Sequence, residues 1–516
     1  LNETLSAVKL KFCRSSLVLS LLTAALFFQP AWPQALPTLG HGESISLGAE
    51  RQLGDRIARE LYRDPDYLED PVLDEYIQRL WAPLVKAAAA RGELSPDLQE
   101  RFAWRILLGR DRTVNAFALP GGYLGVHLGL IAVVTSDDEL ASVLAHELSH
   151  VTQRHIARSM DDQSKMTPWV IGSMILGVLA ASKSAQGAQA LMVGGQAAAM
   201  QSQLSYSRDM EREADRVGYG VLSDAGYDPR GFVTMFAKLQ QAAGVNDNGA
   251  FPYLRSHPLT SERIADMQAR QQLSGNSSAA VQDLTQSMLA ARARVMSHNN
   301  VDALKAWTQD SKINSPQATP AQQVGALYAA TLAHLQLSDS ASAERSLQSL
   351  ERRVQLSGSA PAIRLVRLLK AEMAARQERF GAVLSLLLPS PPNTALARPE
   401  LIAVAQALVR LPPQPMRHEV IVALRELVQQ IPQDAQAWNT LASLLAAQGM
   451  TLPALRAEGE AQMAHMDWSG AVDRFRAAQD WARNNRLAAG EHIEASIVDT
   501  RLRQAQALVR DMQKER

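Results

Sequence analysis

A chain of 516 residues is too long for one hydrophobic core, and the usual span of roughly 150 residues per domain divides it into two to four parts. With 47% hydrophobic and 20% charged residues its composition is that of a soluble globular protein. The 52 basic side chains balance 52 acidic ones, so there is no basic excess to hold a nucleic acid, and that class of partner is excluded.

At the start of the chain, Lys9, Lys11 and Arg14 precede the apolar run from Leu17 to Phe28, with Pro30 and Pro33 beyond it. This is the layout of a secretory signal peptide, expected over residues 1–35. The apolar run is short for a bilayer span, and Pro33-Gln34-Ala35 is an imperfect cleavage site, which leaves an uncleaved membrane anchor as the alternative. The one cysteine, Cys13, falls inside this segment. An exported protein without thiols has no disulfides and must be held by its cores and by any metal it binds.

From about Ser44 to Ala269, amphipathic helical segments alternate with one short β-rich stretch around Phe102 to Val134. A single helix is predicted from Asp137 to Met160, with Ser136 as N-cap, Glu139 completing a capping box, and Leu140, Val143, Leu144, Leu148 and Val151 on its apolar face. His146 and His150 then lie one turn apart and project from the same side, the geometry two nitrogen ligands need to grip one zinc ion. Glu147 sits beside the first ligand, placed to take a proton from a water without coordinating the metal itself. Chance alone produces such a motif about once per hundred chains of this length. The apolar context Leu140 to Ala145 argues against a solvated helix face, because a histidine buried there needs partners.

A catalytic zinc takes three protein ligands. His155 follows His150 by five residues, without the spacing and glycine that would turn it back toward a metal, and is expected at the surface. The next candidate is Glu211-Arg-Glu-Ala-Asp215, on a segment whose helical period continues to Leu222 and stops at Gly226. There Glu211 could ligate zinc while Asp215, one turn on, receives the outer N–H of a ligating histidine; the plainer alternative is a solvated acidic face. Between these helices, the apolar run Trp169 to Ala181 is too short to span a membrane and reads as a lid or a membrane-surface contact.

A polar stretch, Gly275 to Ser278, marks a domain boundary, giving an α+β domain over 36–275 and an all-α domain over 282–516. In the second domain, Pro, Gly and Ser interrupt helix-length segments recurring at about 17 residues, half the 34-residue tetratricopeptide unit. Trp438, Leu441 and Ala454 fall at the offsets of one repeat; Gly459, Ala471, Phe475 and Ala478 fall at those of a unit starting one helix later. An irregular helical domain is the alternative.

Asn115-Ala-Phe-Ala-Leu-Pro-Gly-Gly122, His146-Glu-Leu-Ser-His150 and Glu211-Arg-Glu-Ala-Asp215, in that order, resemble the zinc metallopeptidases related to the CAAX prenyl protease and the HtpX heat-shock protease. With the leader in front, the helical repeats behind and Ser256-His-Pro-Leu259, the chain is similar to the periplasmic members of that family. The resemblance implies a mainly α fold, a gluzincin-type α+β domain followed by tetratricopeptide-like repeats. It implies one zinc held by His146, His150 and Glu211, with Glu147 as general base and Asp215 in support. It also implies a cleft-edge strand at Asn115, Ala116 and Phe117 that holds an extended substrate by backbone pairing. His257 would reach the zinc as a fourth ligand that restrains activity, and Arg263 would be a cleft arginine; one of the two would steady the oxyanion.

The function so implied is a periplasmic endopeptidase that degrades misfolded or stalled outer-membrane proteins and assists their assembly. Its implied partners are unfolded outer-membrane proteins and, through the repeats, the β-barrel assembly machinery, with a peripheral membrane contact. The alternative is a non-proteolytic chaperone or scaffold with a latent zinc site, since repeat surfaces recognise proteins but supply no chemistry. A membrane-anchored prenyl-type protease would need spanning helices that the chain lacks.

Overall fold

Helix starts follow from short polar side chains at the expected places. Ser46, Asp70, Ser95, Ser136 and Ser207 each accept a hydrogen bond from a backbone N–H three residues on. They open α1 (Leu47–Arg63), α2 (Pro71–Ala90), α3 (Pro96–Arg101), α5 (Asp137–Thr152) and α7 (Arg208–Asp224), with α4 (Leu128–Val133) between α3 and α5. The computed structural model describes residues 45–162, 207–243, 251–273, 283–298, 300–313, 315–388 and 395–514, all within the unit Ser44–Arg516. The expected leader, the run Trp169 to Ala181 and the boundary segment 275–282 lie outside the described residues.

The β-rich stretch forms three strands, β2 (Arg105–Gly109), β3 (Ala116–Leu119) and β4 (Tyr123–His127), joined by the two-residue β1 (Tyr67–Leu68). Strand order is β1-β2-β4-β3, with β2 parallel to β4 and the outer pairs antiparallel. Because β4 follows β3 through a tight turn but lies inside it, β3 is left at an edge, packed on α5.

Two local expectations need correction. The capping box is half formed: Ser136 accepts from the Glu139 N–H, but the Glu139 carboxylate accepts from the Thr135 N–H at 2.6 Å and from Lys238. The predicted helix from Asp137 to Met160 is also two helices, α5 and α6 (His155–Asp162), broken at Arg154. Arg154 takes a left-handed conformation, φ 52°, that a continuing helix excludes. Its guanidinium holds it there, donating to Glu50 at 3.0 Å and to the Ile45 carbonyl at 2.7 Å.

Among the described residues three more helices follow in this half: α8 (Arg230–Ala243), α9 (Tyr253–Ser256) and α10 (Ser261–Leu273). Among the described residues the rest is helical, from α11 (Leu284–Met296) to the helix ending at Lys514, with successive helices packed on one another as helical repeats. The repeat offsets are buried as expected: Trp438, Leu441, Ala454, Ala471, Phe475 and Ala478 are all in the core. Gly459 is needed for its size, since a Cβ there would fall 2.4 Å from the Phe475 ring. Among the described residues no helix is long and apolar enough to cross a membrane.

One hydrophobic cluster runs from Leu68 through α5 and into the repeats as far as Ala464. Beside it, acids at the start of α2 meet cations from well-separated repeat helices. Glu69 faces His465 at 2.6 Å, Asp70 faces Arg292 at 2.6 Å, Asp74 faces Arg398 at 3.5 Å and Glu75 faces Arg364 at 2.6 Å. Burial pushes the Asp74 carboxyl up to about 8; Arg398 pulls against this, while Asp70, Asp434 and Glu69 add to it. An unfolded carboxyl titrates near about 3.9. Between those values the folded chain holds a proton that the unfolded chain has released, so this group's contribution to stability falls as pH rises. Asp74→Asn is therefore expected to flatten the decline of the unfolding midpoint between pH of about 4 and 8. Equal slopes in variant and wild type would show that another group sets the decline.

Candidate metal centre

Helix α5 carries His146, Glu147 and His150 inward, and α7 crosses it closely enough to present Glu211 and Asp215. The close approach depends on Gly218, where a Cβ would stand 3.1 Å from the Ala145 carbonyl and 3.2 Å from the His146 nitrogen. A larger side chain there would push α7, and with it Glu211, away from the histidines.

His146, His150, Glu211 and His257 bring one donor atom each within 4.8 Å of one another, and all four side chains are buried. His146 Nε2 lies 3.0 Å from His150 Nε2, 3.3 Å from His257 Nδ1 and 3.5 Å from Glu211 Oε2. Glu211 Oε1 lies 2.9 Å from His257 Nδ1 and 3.5 Å from His150 Nε2. Donors placed tetrahedrally around zinc at bonds of about 2.0–2.1 Å stand about 3.3 Å apart, and these contacts of 2.9 to 3.5 Å, with both Glu211 oxygens engaged, are close to that spacing. Three imidazoles turning ring nitrogens toward one carboxylate and one another, shielded from water, are stable together only around a cation or shared protons. The donor set of three nitrogens and one oxygen suits zinc.

The surroundings bias the donors. Burial opposes protonation of His146, but the carboxylates of Asp215 and Glu211 outweigh it and push its pKa up to about 9. For His150, burial and the charge at His146 lower the pKa well below the usual value, keeping that ring a neutral donor. Burial works against the Glu211 charge, yet His257 and His146 hold the carboxyl well below the usual range.

Glu147 is fully buried beside this cluster, and neither of its carboxylate oxygens has a hydrogen-bond partner among the described residues. His257 Nε2 is 3.5 Å from its Oε1. A carboxylate left with free lone pairs next to the four donors is positioned to accept a proton from a molecule held between them.

The residues expected in support lie against the cluster. Asp215 Oδ1 lies 2.9 Å from His146 Nδ1, the outer nitrogen of that ring. Arg263 clasps Asp215 with two hydrogen bonds of 2.6 and 2.8 Å and reaches Glu211 Oε2 at 2.7 Å, so it ties both acids of α7 together. His257 follows α9, and Tyr253 one turn earlier stacks on its ring with centroids 4.6 Å apart. Asn115 is buried where β3 begins, Ala116 and Phe117 follow on the edge strand, and its neighbour Val114 accepts from the Tyr253 N–H at 3.4 Å. The edge strand and the His257 segment are thus joined directly.

His155 is not at the surface: it is fully buried, with Nδ1 2.9 Å from His150 Nδ1 and Nε2 3.1 Å from Glu213. A continuing helix would have turned it about 140° away from His150. The break at Arg154 turns it back. Glu213 and Tyr253 were also missed. Glu213 alternates with Glu211 and Asp215, a spacing of two that puts it on another side of α7, and only the return of α6 gives it a partner. Nothing in local periodicity marks Tyr253.

Residues 73–271 match the description Peptidase family M48. A beta-barrel assembly-enhancing protease of Escherichia coli (strain K12) is 35% identical over 268 residues, 50% of this chain and 52% of its own length. One from Yersinia pestis is 31% identical over 297 residues, 57% of this chain and 58% of its own. A mitochondrial metalloendopeptidase OMA1 of Arabidopsis thaliana is 34% identical over 196 residues, covering 38% of this chain and 36% of its own. The chain thus spans about half the length of the bacterial relatives it matches.

Proposed function

We propose that this chain, whose residues 73–271 belong to peptidase family M48, is a zinc-dependent endopeptidase. The observation that carries this reading is the convergence of four buried donors within 4.8 Å of one another, with the Glu147 carboxylate, which accepts no hydrogen bond among the described residues, beside them. In it, His146, His150 and Glu211 are the zinc ligands, and residues 36–275 and 282–516 are taken as peptidase and repeat domains. Zinc bound there would polarise the scissile carbonyl and acidify a water. Glu147 takes the proton from that water and passes it to the leaving amine. Asp215, held by Arg263, fixes the ring of His146. The side of β3 that pairs with no strand among the described residues, at Ala116 and Phe117, is taken in this reading to pair with an extended peptide through backbone hydrogen bonds, which selects unfolded chains over particular side chains.

His257 supplies a fourth protein donor, and four donors close a zinc site where catalysis needs one position open. This favours a restrained resting state, in which His257 must withdraw before a substrate carbonyl enters. Once withdrawn, His257 is free to steady the oxyanion; Arg263, engaged with both acids, is the weaker candidate for that task.

The names of the bacterial relatives, beta-barrel assembly-enhancing proteases, support a role in β-barrel assembly; this reading takes outer-membrane proteins, misfolded or stalled, as the substrates, and the leader-like residues 1–35 support a periplasmic location. The helical repeats are the surface suited to recognising the assembly machinery. The closed donor set also favours, as a second reading, a chaperone or scaffold in which the zinc site stays latent.

Zinc content and casein cleavage by the purified chain, measured for wild type and His257→Ala, test these readings together. Bound zinc in both and greater cleavage by the variant are expected. Zinc without cleavage in either protein would favour the latent scaffold, and equal cleavage would remove the restraint by His257.

A further inference from the structure

His146 and His150 are supported differently. The outer nitrogen of His146 faces a carboxylate directly, whereas that of His150 faces a second imidazole, His155, which in turn faces Glu213. We propose that His155 and Glu213 are positioning residues for His150, forming a carboxylate–imidazole–imidazole chain that sets the tautomer and ring orientation of the second zinc ligand. The inference rests on the reading of His150 as a ligand.

The hydrogen-bond directions are forced one after another. His150 can offer a lone pair at Nε2, the atom 3.0 Å from His146 Nε2, only if its proton sits on Nδ1. That N–H donates across 2.9 Å to His155 Nδ1, which must then be the acceptor. His155 carries its own proton on Nε2 and donates it across 3.1 Å to Glu213. Glu213 also accepts from Arg158 at 2.7 Å. The chain therefore ends on a carboxylate paired with a guanidinium, and its polarity runs the way that strengthens donation from His150 Nε2.

The fold is organised to deliver this contact. His155 reaches His150 only because α6 departs from the line of α5 at Arg154, and the break is anchored by Glu50 and the Ile45 carbonyl. Glu213 comes from α7, the same helix that supplies Glu211 and Asp215. One helix thus provides a donor to the metal position and the terminal carboxylate behind each histidine of α5. A packing role for His155 would leave its two ring nitrogens indifferent to their neighbours; here both point at groups of matching polarity.

The test is the zinc dissociation constant of the purified full chain, read by competition with a chromogenic chelator. His155→Leu keeps bulk but accepts no hydrogen bond, and it is expected to weaken zinc binding about 10–100-fold, the usual effect of removing such support. His155→Asn places an amide oxygen near the position of Nδ1 and is expected to recover most of that loss. Glu213→Ala should weaken binding as well, with Glu213→Gln, which keeps an acceptor, falling between it and wild type. Wild-type affinity in both His155→Leu and Glu213→Ala overturns the proposal. Equal losses in His155→Leu and His155→Asn also overturn it, by making His155 a packing residue. A wild-type chain that takes up no zinc overturns instead the metal reading beneath it.

Discussion

Glu147→Gln is expected to lower casein cleavage by about 10²–10⁴-fold while leaving zinc bound as in wild type, because it removes the proton acceptor and no ligand. The side chain is fully buried, nearly isosteric in the variant, and lies outside the four-donor set, so neither packing nor metal binding should change. The measurement should be made in the His257→Ala background as well as alone, so that the restraint does not conceal the loss. Activity that survives would remove Glu147 from the chemistry. Zinc lost together with activity would make it part of the metal support instead.

The second large effect concerns stability. Arg292, on α11, is buried and donates to Asp70 from two guanidinium nitrogens, to Glu372 at 2.8 Å and to the Tyr328 hydroxyl at 3.4 Å. Asp70 in turn caps α2 by accepting from the Leu73 N–H at 2.9 Å. Arg292→Met would leave a buried carboxylate without its cation at the point where the repeat helices meet the start of α2, and breaking such a pair from one side costs about 3–5 kcal/mol. A matching fall in denaturant stability is expected. Adding Asp70→Asn should return part of it, because the stranded charge is then gone while the amide still caps the helix. A double variant no more stable than Arg292→Met would place the loss in packing around the arginine stem.

Much of the centre could be read along the chain. His146 and His150 are one turn apart on a helix whose N-cap and apolar face are explicit, and Glu211 and Asp215 repeat that spacing on a second helix. Such patterns are local: a period of 3.6 states which side chains share a face, and donors sharing a face can share a metal. The resemblance to a family added His257 and Arg263, which no periodicity singles out, and the fold brings both to the cluster.

What local pattern could not say is where each face points once the chain turns. His155 is buried because Arg154 breaks the helix, and the partners that hold Arg154 lie 104 and 109 residues earlier. The edge position of β3 depends on β2 and β4 pairing past it. Glu69 and His465, 396 residues apart, form an ion pair that neither segment announces. The sequence by itself determined the shared face of His146 and His150, that of Glu211 and Asp215, and the helical period of the second half, because these are properties of spacing within one element. Only the tertiary structure decided the fourth donor's placement, the chain behind His150 and the acid row at the start of α2, because each requires distant segments to pack before the side chains can meet.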